Sequence, residues 1–371
     1  MKEPVTLANW RTAPFNRWAF HHVRELVPSA DIPADPAGVR ALPAREIDLA
    51  GLRIDPDSGE AMGIEGFLRE TDTDGMAIVH RGRLVFERYA NGMTDETPHI
   101  LMSVSKSMLG LLMHEIGMDP ARKVADVLPE LGATAYREAS IRHLLDMRAG
   151  IVWEENYLAT SGPIVEYRKA TGWNPLAPGE TPSDLHSFYA TLTKTGPHGG
   201  PVHYVSPNSD LLGWIVERAT GRRYAELTSE LLWKKVGAER SAYITVDRLG
   251  APRCAGGMCV TLRDLARVGQ WLLEERSQFL SDLRKGDADA WARGDLAQYY
   301  PGLPMRYRNQ WYVLEGEAPL YFGMGIHGQN MFVDPANSLV IVKLSSQSTP
   351  LDAPRMALTM RAVSALRKFL A

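Results

Sequence analysis

Residues 101–108 read Leu101-Met102-Ser103-Val104-Ser105-Lys106-Ser107-Met108, with a serine and a lysine three positions apart between apolar neighbours. On a helix, residues three apart lie on one face, so the side chains of Ser103 and Lys106 would meet. A serine at the start of a helix lies beside unpaired backbone N–H groups, and the helix dipole favours negative charge there. The segment therefore indicates a serine nucleophile with a lysine base.

The same spacing has a simpler interpretation, in which Ser103 caps the helix and Lys106 is solvated. A serine hydroxyl is a weak nucleophile until a base takes its proton, and a lysine is a base only where burial or a nearby positive charge lowers its pKa. Ser-x-x-Lys occurs once in this sequence, and its apolar flanks argue against a solvated lysine. We therefore keep both residues as catalytic candidates.

A second polar segment precedes a predicted helix and reads Tyr204-Val205-Ser206-Pro207-Asn208. A phenol beside a protonated lysine gives up its proton more readily, so Tyr204 can pass protons between nucleophile and leaving group. The alternative is a half-buried packing tyrosine, which is the common environment of this residue type.

A glycine-rich segment near the end of the chain reads Gly323-Met324-Gly325-Ile326-His327-Gly328-Gln329-Asn330. Glycines beside a strand indicate that another group approaches the backbone closely. A strand edge at such a place can donate a backbone N–H to an oxyanion. The alternative is a bend that binds nothing, with His327 as a structural hydrogen-bonding residue.

The distribution of apolar runs predicts an α/β fold. Runs at 76–80 and 84–89 flank a short turn with Gly82, and runs at 330–333 and 339–344 flank residues 334–338, so each pair predicts a β-hairpin. Helical patterns cover residues 16–26, 103–116, 140–147, 184–193, 210–219 and 355–370. Strands at both chain ends predict one α/β domain of residues 1–102 and 245–371. A helical domain of residues 103–244 is inserted in it, with the active site in the cleft between them.

In this order, the three polar segments resemble the motifs of the serine β-lactamase and penicillin-binding protein superfamily. Those motifs are Ser-x-x-Lys, Tyr-x-Asn, and a strand with Lys-Thr-Gly or His-Thr-Gly. The resemblance covers most of the chain and is closest to the 6-aminohexanoate-dimer hydrolases, which cleave nylon oligomers, through residues 16–20, 27–30, 101–107 and 325–330. It implies a β-lactamase-like fold, in which both chain ends form an antiparallel sheet flanked by helices, with an inserted, mostly helical domain.

The resemblance also implies a role for each candidate residue. Ser103 would be the acylated nucleophile, Lys106 its base partner and Tyr204 the general acid and base, as in related carboxylesterases. Backbone N–H groups of Ser103 and Ile326 would form the oxyanion hole. The substrate would be a small ester or linear amide, with no cofactor and no metal, bound by Tyr157, Trp173, Ser206 and His327.

Three departures from the family pattern bear on the substrate. Ser206 stands where the second motif carries Asn. The segment 323–325, which corresponds to the third motif, lacks the lysine that binds a β-lactam carboxylate. Arg168 falls where the nylon-oligomer enzymes hold the substrate's amine with an acidic residue, so the charge is reversed. We therefore expect esters or other small acyl compounds. A β-lactamase or D-Ala peptidase is the first alternative, and an inactive binding relative is the second.

Two further segments spell family motifs out of order. Tyr89-Ala90-Asn91 precedes Ser103 and is predicted to end the first hairpin. Lys194-Thr195-Gly196 precedes Tyr204 and is predicted as a helix C-terminus, with Pro197 after it. We assign neither to catalysis. The pairs His21-His22 and His114-Glu115 lack a partner at ligand spacing, so the sequence predicts no metal site.

The composition is that of a folded protein, with 45% hydrophobic residues, 23% charged residues and a formal net charge of -3. It gives no reason to expect binding to nucleic acid or to a membrane, and no stretch approaches the roughly 20 apolar residues of a membrane span. The first residues do not read as a secretory signal, so we expect a cytoplasmic protein with Cys254 and Cys259 reduced. The expected partner is a small-molecule substrate, and a homodimer is the assembly to test.

Overall fold

The structure is a computed structural model, and it describes residues 3–371. Its strands are β1 (Ser29–Ile32), β2 (Thr73–His80), β3 (Arg83–Tyr89), β4 (His99–Ile100), β5 (Ala242–Thr245), β6 (Met258–Val260), β7 (Met305–Arg308), β8 (Trp311–Leu314), β9 (Leu320–Gly325), β10 (Gln329–Asp334) and β11 (Leu339–Ser345). Its α-helices are α1 (Asn16–Ala19), α2 (Ile64–Glu70), α3 (Val104–Ile116), α4 (Val124–Val127), α5 (Ile141–Leu145), α6 (Pro163–Ala170), α7 (Leu185–Phe188), α8 (Ser206–Thr220), α9 (Tyr224–Thr228), α10 (Lys234–Val236), α11 (Leu262–Glu275), α12 (Ser277–Leu283), α13 (Ala288–Ala292) and α14 (Ala353–Phe369).

Both ends of the chain build the larger sheet. Within residues 3–371 it has the order β3-β2-β11-β10-β9-β8-β7, and every neighbouring pair is antiparallel. The register pairs Ile78 with Ile341, which joins the N-terminal hairpin to the C-terminal one. A smaller antiparallel sheet has the order β1-β5-β6-β4. Both predicted hairpins and the predicted fold class are confirmed.

Helices cover both faces of the larger sheet. In β2, Ala77 and Val79 pack in one apolar cluster with residues of α11, whereas Met76 and Ile78 pack in another with residues of α14. This alternation follows from the two-residue repeat of side chains along a strand. A strand buried on both faces therefore reads as a continuous apolar run, as the sequence of β2 does.

The chain between β4 and β5 is mainly helical, and α3 and α8 form its centre. The predicted helices at 103–116, 140–147, 210–219 and 355–370 are present as α3, α5, α8 and α14, with shifted ends. The prediction of one helix over 184–193 was too long, because α7 ends at Phe188, a 3-10 turn follows, and the backbone is extended at Leu192. The predicted helix over 16–26 is interrupted between α1 and a 3-10 turn at Val23–Glu25, where His22 has φ −129°.

Both cysteines are buried free thiols, as expected. Within residues 3–371, no helix has the length and apolar character needed to cross a bilayer.

Candidate active site

Ser103 lies immediately before α3, at a point where the backbone is strained. The preceding residue, Met102, has φ +45°, a left-handed conformation that non-glycine residues rarely adopt. On the N-terminal side, the Leu101 N–H donates to the Met258 carbonyl of β6 at 2.8 Å. Within α3, the Ser105 hydroxyl accepts from the Met258 N–H at 3.1 Å. The smaller sheet therefore holds the backbone on both sides of Ser103.

Lys106 lies one helical turn after Ser103, and its ammonium group is buried at the start of α3. Its Nζ lies 3.0 Å from Ser103 Oγ, 3.2 Å from Ser206 Oγ and 2.7 Å from the Ala255 carbonyl oxygen. The pKa of Lys106 is lowered to about 7, mainly by burial and also by the charge of Arg253, while Glu155 and Asp210 act in the opposite direction. Lys106 is only 1% exposed, which excludes the solvated lysine of the simpler interpretation.

Tyr204 precedes α8 and lies beside the same lysine. Its backbone N–H donates to the Asp295 carboxylate at 3.1 Å, and its ring centre lies 4.9 Å from Lys106 Nζ. Burial raises the pKa of Tyr204, while hydrogen bonding to the hydroxyls of Ser103 and Tyr312 acts in the opposite direction. The phenol is therefore protonated at neutral pH and can donate a proton near Ser103.

The end of β9 passes directly over the start of α3. A Cβ on Gly325 would lie 2.7 Å from the Leu101 carbonyl oxygen and 3.0 Å from the Ser103 backbone nitrogen, so only glycine fits. Ile326 follows at once and lines the same cavity as Ser103. Within residues 3–371, the Ser103 N–H donates to no backbone carbonyl. The backbone nitrogens of Ser103 and Ile326 thus belong to two segments in close contact at one cavity.

Glu155 is a polar residue of this site that the sequence analysis missed. Its carboxylate accepts from the Ser206 hydroxyl at 2.7 Å, from the Ser206 N–H at 3.1 Å and from the Trp153 indole at 2.6 Å. Because Ser206 also contacts Lys106, the carboxylate is linked to the amine through one hydroxyl. Glu155 lies in an irregular segment between α5 and α6, where neither periodicity nor motif spacing marks it.

Two cavities open beside Ser103. The larger has a volume of about 640 Å³ and is lined by aromatic side chains on the side of Tyr204, among them Tyr157, Tyr300 and Tyr312. The smaller has a volume of about 30 Å³ and is lined by the side chains of Arg11, Arg168, Arg253, Trp173 and Ser206, among others. Ser103, Glu155, Tyr157 and Ile326 line both. A substrate bound at Ser103 can therefore extend in two directions that differ in size and charge.

The predicted substrate-binding residues are distributed unevenly around these cavities. Tyr157 lines both of them, whereas Trp173 and Ser206 line the small one. The Trp173 indole donates to the Thr245 hydroxyl at 3.1 Å, which fixes its ring. His327 lines neither cavity, because its buried ring faces the Gln347 carbonyl oxygen at 2.7 Å. The structure therefore gives His327 no contact with a bound substrate in either cavity.

The two motif-like segments outside the catalytic order lie in other places. Tyr89 ends β3, and the Asn91 side-chain amide donates to the Arg17 carbonyl at 2.7 Å, in agreement with the prediction. The prediction of a helix C-terminus at residues 194–196 was wrong. Lys194 forms an antiparallel bridge with Ile151, since the chain has already left its 3-10 turn at Thr191.

His21, Asp74 and His99 form a buried cluster whose ligand atoms all lie within 4.8 Å of one another. Asp74 Oδ2 lies 3.2 Å from His99 Nε2 and 3.5 Å from His21 Nε2, and Asp74 Oδ1 accepts from the Ser346 hydroxyl at 3.0 Å. Asp74 therefore links separate segments through hydrogen bonds with His99 and Ser346, and the three members of the cluster line neither cavity. Motif spacing could not indicate this cluster, because Asp74 is more than fifty residues from His21.

Similarity to known proteins extends along most of the chain. The sequence profile of the β-lactamase family matches residues 64–365. A 6-aminohexanoate-dimer hydrolase of Paenarthrobacter ureafaciens is 36% identical over 359 residues, which are 93% of this chain and 89% of that protein. A solved Bacillus anthracis structure, whose name assigns it to the same hydrolases, superposes with a TM-score of 0.90 at 26% identity, covering 100% of this chain and 98% of that one.

A more distant solved structure shares the fold. It is EstCE1, described as a hydrolase with promiscuous acyltransferase activity, and it superposes with a TM-score of 0.62 at 16% identity. The superposition covers 82% of this chain and 96% of that one. The similarity therefore reaches well beyond the three quoted motifs.

Proposed function

The chain belongs to the β-lactamase family of serine hydrolases, and we propose that it cleaves small esters and linear amides through an acyl group carried on Ser103. The observation that carries this proposal is the 3.0 Å distance between the Ser103 hydroxyl oxygen and the buried Lys106 nitrogen. A lysine that burial keeps partly uncharged can take the proton of a neighbouring hydroxyl, which turns a weak nucleophile into a strong one.

Each side chain then has one role in the reaction. Ser103 Oγ attacks the acyl carbon while its proton passes to Lys106, and the backbone N–H groups of Ser103 and Ile326 stabilise the oxyanion. Tyr204 gives a proton to the leaving group as the acyl bond breaks. Water, activated by Lys106 and Tyr204, then releases the acid and restores the Ser103 hydroxyl. Losing one oxyanion donor typically costs about 10²–10³ in rate, and general acid–base help is worth about 10²–10⁴.

The proposal includes a division of the chain around the site. One unit is the α/β domain of residues 1–102 and 245–371, and the other is the helical domain of residues 103–244. The large cavity supports this arrangement, because residues 153–158 and 203–204 line it from one unit and residues 298–300 and 324–326 from the other. Tyr157, Trp173 and Ser206 are the substrate-binding residues in this proposal.

A substrate panel tests the function. We expect the parent protein to hydrolyse short-chain p-nitrophenyl esters faster than the β-lactam nitrocefin, because residues 323–325 offer no lysine for a β-lactam carboxylate. Ser103→Ala should lower ester turnover by about 10³-fold or more, since covalent catalysis is lost. The matched control is Ser348→Ala at an exposed serine, which should keep the parent rate.

Two results would contradict the proposal. One is faster turnover of nitrocefin than of the esters, which would indicate a β-lactamase. The other is near-parent ester turnover by a folded Ser103→Ala protein, which would exclude that residue as the nucleophile.

We propose that the protein works in the cytoplasm, which its two unbridged, buried cysteines support. A homodimer stays a prediction, and sedimentation velocity at micromolar concentration distinguishes it from a monomer.

A further inference from the structure

The small cavity beside Ser103 is lined by three arginines, Arg11, Arg168 and Arg253, and we call it the arginine pocket. The three come from distant parts of the sequence: the N-terminal segment, helix α6 and the segment between β5 and β6. Glu155 is the acidic residue in its lining. A cavity with this lining presents an excess of positive charge to whatever occupies it.

The partners of the arginines leave part of this charge uncompensated. Arg253 pairs with the buried Asp210 carboxylate at 2.5 Å. Within residues 3–371, neither Arg11 nor Arg168 has a carboxylate within ion-pair distance. Arg168 donates to main-chain carbonyls, at 2.8 Å for that of Tyr157, and Arg11 donates to the side-chain oxygen of Asn174.

Glu155 compensates only one of these charges. Its two oxygens already accept hydrogen bonds from Ser206 and from the Trp153 indole. Because Asp210 is paired with Arg253, the guanidinium groups of Arg11 and Arg168 share the single remaining carboxylate of the pocket, that of Glu155. The remaining charge favours an anionic ligand over a neutral or cationic one.

Two of the arginines that line the pocket also carry buried donors without acceptors. The Nε atoms of Arg253 and Arg11 are both buried and unpaired, and the Arg253 residue is only 6% exposed. Burial lowers the pKa of Arg11 to about 9, and the charges of Arg168 and Arg253 act in the same direction. A buried charged donor without a partner is costly, so an anion that accepted from it would be bound favourably.

Aromatic rings hold the guanidinium groups in place. The Arg253 guanidinium carbon lies 4.5 Å from the Tyr167 ring centre and 4.8 Å from that of Trp173. The Arg11 guanidinium carbon lies 5.8 Å from the Trp173 ring centre. Because cation–π contacts fix these side chains before any ligand arrives, little ordering is needed on binding.

We infer that the arginine pocket binds a carboxylate at the far end of a short acyl chain, so that the preferred substrates are half-esters of short dicarboxylic acids. The inference rests on the proposed function and names its substrate class. The volume of about 30 Å³ suits a group the size of one or two water molecules, such as a carboxylate.

The position of Tyr204 sets the direction of the substrate. Tyr204 lines the large cavity and not the arginine pocket. The leaving alcohol takes its proton from Tyr204, so it occupies the large cavity and the acyl chain extends to the other side of Ser103. Ser103 then takes the acyl group as the ester C–O bond breaks, the alcohol leaves with the proton, and water releases the dicarboxylate.

Three benzyl esters with the same leaving group test the charge preference. They are benzyl hydrogen succinate, its neutral isostere benzyl 4-oxopentanoate, and the cationic benzyl 4-aminobutanoate, with benzyl alcohol release measured by chromatography. We expect kcat/KM for the succinate to exceed that for the neutral ester by about tenfold or more, through a lower KM, with the cationic ester slowest. Equal rates on the succinate and neutral esters, or a preference for the cationic ester, would overturn the inference.

A separate outcome belongs to the proposed function. If none of the three esters releases benzyl alcohol, the hydrolase itself is contradicted, and the inference falls with it. If all three are hydrolysed without a charge preference, the hydrolase stands and only the inference fails.

Variants at Arg11 test the pocket itself. Arg11→Met should reduce the succinate preference over the neutral ester by about fivefold or more through KM, whereas Arg11→Lys, which keeps the charge, should retain most of it. Arg69→Met, at an exposed arginine of α2, is the matched control and should keep the full preference. An unchanged preference in a folded Arg11→Met protein would remove Arg11 from the pocket's function.

Discussion

At the scale of single residues, the proposed reaction depends on Lys106, a buried lysine whose pKa is lowered to about 7. Burial is the largest cause of the lowered pKa of Lys106, while Glu155 and Asp210 limit the shift. The simpler interpretation of the sequence, a capping serine with a solvated lysine, is wrong because Lys106 is only 1% exposed. A general base is most useful when its pKa lies near the working pH, and about 7 meets this condition.

This balance predicts the pH dependence of ester hydrolysis. Protonated Lys106 cannot take the Ser103 proton, so kcat/KM should fall as the pH drops below about 7. The Glu155 charge raises the pKa of Lys106, so Glu155→Gln should move this acidic limb to lower pH, by on the order of one unit. Glu154→Gln, at the exposed neighbour, is the control and should leave the limb in place. A limb that Glu155→Gln leaves unmoved, or moves upward, would contradict this role of Glu155.

At the scale of elements, the contact between β9 and the start of α3 sets the backbone geometry at Ser103. Gly325 permits this contact, since a side chain there would meet backbone atoms of Leu101 and Ser103. A second glycine serves packing alone. A Cβ on Gly269 would lie 2.3 Å from a Val340 methyl group, so Gly269 lets α11 lie close against β11.

The two glycines make a matched pair of variants. Gly325→Ala should lower kcat by about 10²–10³, because it displaces the proposed oxyanion donors. Gly269→Ala should lower the free energy of unfolding by about 1–3 kcal/mol from overpacking, with kcat of the folded protein near the parent value. Urea unfolding and ester kinetics on both proteins separate the two effects. A Gly325→Ala protein with full kcat would show that this contact does not position the reacting groups.

The elements also show what can be predicted from sequence. The hairpins around Gly82 and residues 334–338, and the helices α3, α8 and α14, follow from local periodicity and turn residues, and they were predicted correctly. The helix over 16–26 was not, since it is interrupted after Ala19, where the Phe20 carbonyl accepts from the distant Ile100 N–H of β4 at 3.0 Å. Local patterns carry no information about such contacts.

At the scale of the whole molecule, the family resemblance inferred from three short motifs is confirmed, since the similarity covers most of the chain. The residues missed or misjudged are those whose surroundings depend on tertiary structure. Glu155 reaches Ser206 from an irregular segment, Arg11 approaches Arg253 from the far end of the sequence, and His327 turns away from the cavities. Motif spacing correctly predicted the contact between Ser103 and Lys106, because one helical turn suffices to bring them together.

The most direct test of the central claim, that Ser103 is the nucleophile, is mass-spectrometric mapping of the adduct formed with a reactive phosphonate. We expect one phosphonyl group per chain, located on Ser103 and on no other serine, with loss of ester hydrolysis in proportion to labelling. An adduct on another serine that abolishes activity, with Ser103 unmodified, would contradict it.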